Sequence, residues 1–504
     1  MADVRQTLRL DLIGSTFATA LLCLSFTPSL LPRGWILQGV VGGVCAATGY
    51  ALGCLPRAVM RRWHAGRRAW FTFALLAVPA TSLAAYQGWR WQQEICRIMG
   101  VAGPSGATWP AALLVAGALF AGLLGAAALM RRGGAVLGHR EHRHRAAATL
   151  VALSLLAGGS MSASGPLGAL STALDGRVTD LAAPSGTTRA GSPGSLVPWS
   201  SLGRQGRAFV TGALTVRHTT SPIRVYAGLG SAPTTGARAR LAVAELTRTG
   251  AFSRKVLCLV VPTGSGWVDE PTVAALEDEF DGDTAIAAVQ YAALPSWLAL
   301  ATEPERAEDA ATDLLDEVRR TWSALPAAGR PKLLIYGHSL GALAAQAPFD
   351  SARSLLDRVD GALISGTPSS SPLRNSLVAG RSRATTEVRP ALPGRSAIRF
   401  ATGSADLVSA AGPSPHPRVL FLQHATDPVV WWSPRLMLRQ PDWLRERRGD
   451  AVLPSVRWWP IVTFWQLSAD MLKAQDVPAG YGHRYGAEAR AAWHLITGGT
   501  GCDC

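Results

Sequence analysis

The sequence predicts a multi-span α-helical membrane domain followed by an α/β domain with a mostly parallel sheet. Three observations predict it. Apolar runs long enough to cross a bilayer fill the first third of the chain. Strand-like and helix-like stretches then alternate from about residue 223 onward. The 504 residues are 48% hydrophobic but only 16% charged, an imbalance that points to a membrane portion.

Five apolar runs lie near Leu12–Leu30, Trp35–Leu55, Trp70–Trp89, Trp109–Met130 and Ala146–Ala163. The last is the weakest, being rich in Ala, Ser and Gly. A cleaved signal peptide is the alternative for the first, disfavoured because further runs follow and no clear cleavage site appears. Arg57, Arg61, Arg62, Arg67 and Arg68 separate runs two and three, and Arg131, Arg132, Arg140, Arg143 and Arg145 separate runs four and five. The other two connections hold only Arg33, and Arg90 with Arg97. Arginine-rich loops stay in the cytoplasm, so the amino terminus is expected inside and everything after about residue 165 outside the cytoplasmic membrane. His139, His142 and His144 read as part of a solvated basic loop, since no acidic or cysteine ligands accompany them. Runs three and four carry no intramembrane charge, which favours an anchor or a lipid-access platform over a pump.

The net charge of +15 raises nucleic acid as a partner. All but three of the 49 basic residues are arginine, and many sit in the loops between apolar runs, where they have a topological role. No basic motif with interleaved aromatics appears, so nucleic-acid binding is not expected. Of the seven cysteines, none has metal-ligand spacing with histidine, and the terminal Cys502-Asp-Cys504 receives no role.

Residues 166–215 are rich in Gly, Ser, Pro and Thr and read as a linker that buries no core. From 216 to 500 the pattern is one α/β domain. Strands are expected at Ile223–Leu229, Val256–Val261, Thr284–Tyr291, Lys332–Tyr336, Val359–Ser365, Ala397–Thr402 and Val419–Gln423. Helices are expected at Ala237–Arg248, Pro271–Phe280, Pro304–Leu325 and Ala487–Ile496.

Chemistry concentrates at Gly337-His338-Ser339-Leu340-Gly341, the only G-x-S-x-G in the chain. It follows a buried apolar strand and precedes a helix-forming run. That is the context of a nucleophile elbow, and with the alternating pattern it predicts an α/β-hydrolase fold. A serine hydroxyl needs a histidine base, and the imidazole needs an acid to fix its tautomer. In this fold the acid and then the histidine follow the serine. Asp427, after the strand beginning at Val419, is the favoured acid, and Asp406 is the alternative. His483, in a glycine-flanked turn before the last helix, is the favoured base, and His424 is the rival. An oxyanion hole would use the amide of Leu340 and that of Thr263 or Gly264, in the turn after the Val256 strand. Trp431, Trp432, Trp443, Trp458, Trp459 and Trp465 lie between the favoured acid and base and are expected at an acyl groove, at the bilayer surface or in the core.

These residues carry a resemblance. The segments Pro222-Ile-Arg-Val-Tyr-Ala-Gly-Leu229, Pro262-Thr-Gly-Ser-Gly-Trp-Val-Asp269, Gln423-His-Ala-Thr-Asp-Pro-Val-Val-Trp-Trp432 and Gly482-His-Arg-Tyr-Gly486 resemble a bacterial family of membrane-anchored α/β-hydrolases. Leu241-Ala-Val-Ala-Glu-Leu246, Gln290-Tyr and Leu294-Pro-Ser-Trp297 do so too. Thr27-Pro-Ser-Leu-Leu-Pro32 matches a stretch in that family's multi-span N-terminal domain. In that family a glutamate often precedes the elbow serine, whereas here His338 does. The expected activity is a serine hydrolase, esterase- or lipase-like, that cleaves a lipidic ester without metal or organic cofactor. Acyl transfer onto envelope lipids or glycans is the second reading, and a non-catalytic envelope binding module the third.

Overall fold

The computed structural model describes residues 10–55, 66–136, 181–212, 218–394, 396–409, 416–449 and 451–498. Two compact units divide the chain: Met1–Gly158 with Trp432–Pro478, and Gly159–Trp431 with Ala479–Cys504.

The first unit holds helices α1 (Leu12–Ser25), α2 (Trp35–Cys54), α3 (Arg67–Ile98) and α4 (Ala111–Val136). Three of them, α2, α3 and α4, are long and apolar enough to cross a membrane. The first expected span is shorter than anticipated. Helix α1 has 14 residues, or about 21 Å at a rise of ~1.5 Å per residue. It ends at Ser25 because Pro28 and Pro32 follow. The fifth expected span and His139, His142 and His144 lie outside the described residues. On α3, Phe71, Leu75, Leu76, Val78 and Leu83 are all largely exposed.

Residues 432–478 pack with these helices, so the single α/β domain expected from 216 to 500 is interrupted. The cause is apolar matching. Val462 and Ala469, on the helix Val462–Met471, bury against Val41 and Cys45 of α2. Polar groups complete the junction at the α1–α2 turn. Gln466 donates to the carbonyls of Ser25 and Thr27. The amide of Leu30 donates to Asp470, and Arg33 stands 3.3 Å from the same carboxylate with both side chains fully buried.

The second unit is built on a sheet of seven parallel strands: β1 (Ile223–Ala227), β2 (Val256–Val261), β3 (Thr284–Val289), β4 (Lys332–His338), β5 (Gly361–Ser365), β6 (Ile398–Ala401) and β7 (Val419–Leu422). Their spatial order is β1-β3-β2-β4-β5-β7-β6. Strand β2 shows why the sheet is buried on both faces. Leu257, Leu259 and Val261 join one apolar cluster, with helices Thr235–Arg248 and Pro304–Ala324. Val256, Cys258 and Val260 join the other, with helices Glu270–Glu279 and Ala489–Thr497. Successive side chains point to opposite faces, so an unbroken apolar run serves two layers.

The expected linker needs correction over its second half. Ala190, Val197, Leu202, Phe209 and Val210 are buried in the cluster that includes Tyr226. The amide of Ala190 donates to Arg224 O, and that of Arg224 donates to Thr188 O. This short parallel bridge at Arg189 covers the outer edge of β1. The few apolar residues among the glycines and prolines are enough to dock this stretch, because an edge strand offers unpaired backbone groups.

Candidate active site

Strand β4 ends at His338, and the next residue, Ser339, takes φ 59° and ψ −125°. A positive φ is strained for a serine and persists only where the surroundings enforce it. The flanking glycines do so. A Cβ on Gly337 would lie 2.3 Å from Gly341 O, and one on Gly341 would lie 2.1 Å from Val261 O. Neither position admits a side chain, so the chain reverses tightly between β4 and the helix Leu340–Ala344. The amide of Ser339 donates to Ser365 O at the end of β5.

Asp427 follows β7, the strand beyond β5, and is fully buried. Its Oδ2 is 2.6 Å from His483 Nδ1 and accepts the Tyr485 hydroxyl at 2.7 Å. Its Oδ1 accepts the Val429 amide at 2.8 Å. The carboxylate is thereby oriented by three groups, and the imidazole carries its proton on Nδ1 toward it. His483 Nε2 is buried and has no hydrogen-bond partner. The His483 ring lies over Gly366, just past β5; a Cβ there would stand 2.5 Å from Cε1. Gly366 has φ +62°.

The rival base, His424, has a different task. Its Nδ1 meets Gly482 O at 2.9 Å, and its ring stacks on Tyr485 at 4.0 Å between centroids. The Tyr485 hydroxyl accepts the His424 amide, and the Thr426 hydroxyl accepts the Gly482 amide. His424 therefore clamps the turn that carries His483. The alternative acid, Asp406, stays on the outermost strand's connection. It accepts from the amide and hydroxyl of Thr402 and pairs with Arg389. The structure brings Asp427 and His483 together and leaves Asp406 apart from them.

The sequence reading gave no role to Tyr485 or to the ring of His338. Tyr485 stands in the Gly482-His-Arg-Tyr-Gly486 turn, but nothing in the sequence of that turn says that its hydroxyl reaches Asp427. Burial and the adjacent Asp427 carboxylate hold the Tyr485 phenol well above its usual range, so it remains a donor. His338 lies 4.4 Å from His483 between ring centroids and also touches Trp267 and Tyr485. Both of its ring nitrogens are buried without partners. Burial first, then the His483 and His424 rings, hold it well below the ordinary histidine range, so it is neutral.

The turn after β2 is buried beside Tyr291. There the Thr263 amide donates to Trp267 O at 2.9 Å, and the Gly264 amide donates to the Ser296 hydroxyl at 3.2 Å. Of the expected tryptophans, Trp431 is buried over Arg374 and donates to His424 O. Trp432, Trp443, Trp458, Trp459 and Trp465 fall in the first unit. Among the described residues no group of three or more His, Cys, Asp or Glu side chains is placed to hold a metal ion.

A strained serine between a parallel strand and a helix, on a seven-stranded sheet that also carries a buried Asp–His pair, defines a member of the α/β-hydrolase class. The chain belongs to the alpha/beta-hydrolase family, whose profile matches residues 223–503, and the profile of that family's N-terminus matches residues 26–213. No curated protein and no solved structure matches the chain.

Proposed function

We propose that the protein is a membrane-anchored serine hydrolase that cleaves an ester, with a lipidic acyl chain, through an acyl-enzyme. The observation that carries the proposal is the joint placement, on one sheet, of a strained elbow serine and the Asp427–His483 pair. In this reading Ser339 attacks the acyl carbonyl while His483 Nε2 accepts its proton. Asp427 holds the tautomer and stabilises the imidazolium. The same nitrogen returns the proton to the departing alcohol. Water, activated by His483, then cleaves the acyl-enzyme and frees the acid.

The oxyanion donors are assigned to the amides of Leu340 and Gly264. Leu340 opens a helix, where the first amides lack intrahelical acceptors. Gly264 is favoured over Thr263 because its present acceptor is a hydroxyl that can rotate away. The Thr263 amide is committed to a backbone carbonyl of its own turn.

Anchoring is supported by the apolar length of α2, α3 and α4 and by the exposed apolar surface of α3, which suits lipid rather than water. The arginine count assigns the α1–α2 turn, against which residues 432–478 pack, to the outer face. A fluorophosphonate probe tests the catalytic assignment. Wild type should label and Ser339→Ala should not, with ester turnover falling by roughly four to six orders of magnitude. Equal labelling of the two proteins overturns the proposal.

A further inference from the structure

The first unit holds a cavity of about 440 Å³ that takes no part in the proposed chemistry. It is lined by Gln440, Arg448, Pro454, Arg457, Trp458 and Trp459. Among the described lining residues there are two guanidinium groups and no carboxylate. Arg448 donates from Nη2 to Leu444 O at 3.2 Å, but its Nε is buried without a hydrogen-bond partner, and a buried donor left unpaired is costly unless something outside the chain supplies an acceptor. Burial, and then the neighbouring Arg457, press the Arg448 guanidinium below its usual range, as expected of two cations facing one space. Six arginines stand between residues 435 and 457 against three acidic residues. The segment that carries the cavity is therefore net positive, and two of its arginines, Arg448 and Arg457, line the cavity itself.

Two further features indicate where the ligand comes from. Trp459 packs against the apolar cluster that joins this segment to α2, so the cavity is built on the part of the chain that docks to the proposed membrane helices. In the same unit, Leu438 and Leu472 are 82% and 69% exposed, and a lipid surface would take this apolar area out of water. Indoles beside arginines are the side chains favoured at the headgroup level.

We propose that this cavity binds the phosphate of an anionic lipid headgroup, with Arg448 and Arg457 as its donors and Trp458 and Trp459 as its walls. Guanidinium groups match phosphate oxygens in charge and in paired geometry. Its lining residues all belong to the first unit and include none of the proposed catalytic residues, so its ligand is a membrane component that holds the segment at the bilayer and need not be the hydrolysed ester.

The test uses full-length protein in neutral detergent, titrated with short-chain phosphatidylglycerol, short-chain phosphatidylcholine and inorganic phosphate, and read by tryptophan fluorescence. Phosphatidylglycerol should bind more tightly than phosphatidylcholine. The double variant Arg448→Gln/Arg457→Gln should weaken that binding by roughly tenfold to a hundredfold. Its fluorophosphonate labelling and unfolding midpoint should stay at the wild-type level. If the double variant misfolds, Arg457→Glu at an exposed position supplies the same readout. Inorganic phosphate that binds as tightly as the lipid, with the same loss in the variant, overturns the lipid source in favour of a soluble phosphoryl ligand. Equal binding of both lipids, or unchanged binding in the variants, overturns the site.

Discussion

The ends of β7 and β6 present two aspartates with opposite fates. Both follow an apolar strand and a short polar turn, and both are plausible acids on local pattern alone. Asp427 is fully buried, accepts from Tyr485 and the Val429 amide, and holds His483 at 2.6 Å. Asp406 caps its own turn through Thr402 and meets Arg389, whose side chain is mostly in solvent. The difference lies in strand order. Strand β7 inserts between β5 and β6, so the later strand stands nearer the elbow and the earlier one forms the edge. An acid serves a catalytic histidine only from a strand close to the nucleophile's, and sequence distance does not measure that.

Substitutions at the two strand ends test the contrast most directly. Asp427→Asn should lower kcat for an ester by about four orders of magnitude, because an amide permits the wrong imidazole tautomer. Asp406→Asn should leave kcat within about threefold, since it weakens a local cap and a pair with a largely exposed arginine and does not touch His483. Equal losses in steady-state assays would erase the distinction.

The glycines at the ends of β5 and β6 give the next largest effect. Gly366→Ala places a methyl 2.5 Å from His483 Cε1 and adds strain at φ +62°. The imidazole must shift, and a misplacement of that size costs roughly a hundredfold in kcat. Gly403, after β6, has nothing within 4 Å of a new Cβ, so Gly403→Ala should be silent in the same assay. Tyr485→Phe should cost about tenfold, the worth of one hydrogen bond to a charged acceptor. The loss should appear in kcat more than in KM, because the hydroxyl touches Asp427 rather than substrate.

The smallest effect concerns stability. An unfolded chain protonates His338 as pH falls through about 6.5, whereas burial keeps the folded ring neutral. The unfolded state then binds the additional proton, so this group's contribution lowers stability as pH falls below that value. His338→Phe should flatten the acid limb of the unfolding midpoint against pH. An unchanged limb would show that His338 does not set it.

Much of the second unit was legible because its strands are buried on both faces and read as unbroken apolar runs. Val256–Val261 appears in the structure with the expected bounds, and the other six strands differ from expectation only at their ends. The elbow was legible because its two glycines are sterically required. The docking of the expected linker is not legible, because a composition rich in Gly, Ser and Pro hides Leu202, Phe209 and Val210, whose burial depends on the open edge of β1. The interruption at 432–478 was hidden for a similar reason. Its apolar residues look like those of any core, and only their partners on α2 reveal which core they join.

By itself, then, the sequence determined the apolar helices, the parallel α/β pattern and the strained serine, because each rests on residues close together in the chain. Tertiary structure alone decided which aspartate meets which histidine. More than fifty residues separate Asp427 from His483, and most of them pack elsewhere. The pair meets because strand order, the bare face of Gly366 and the His424–Tyr485 clamp close that distance, and none of these is a local property of the chain.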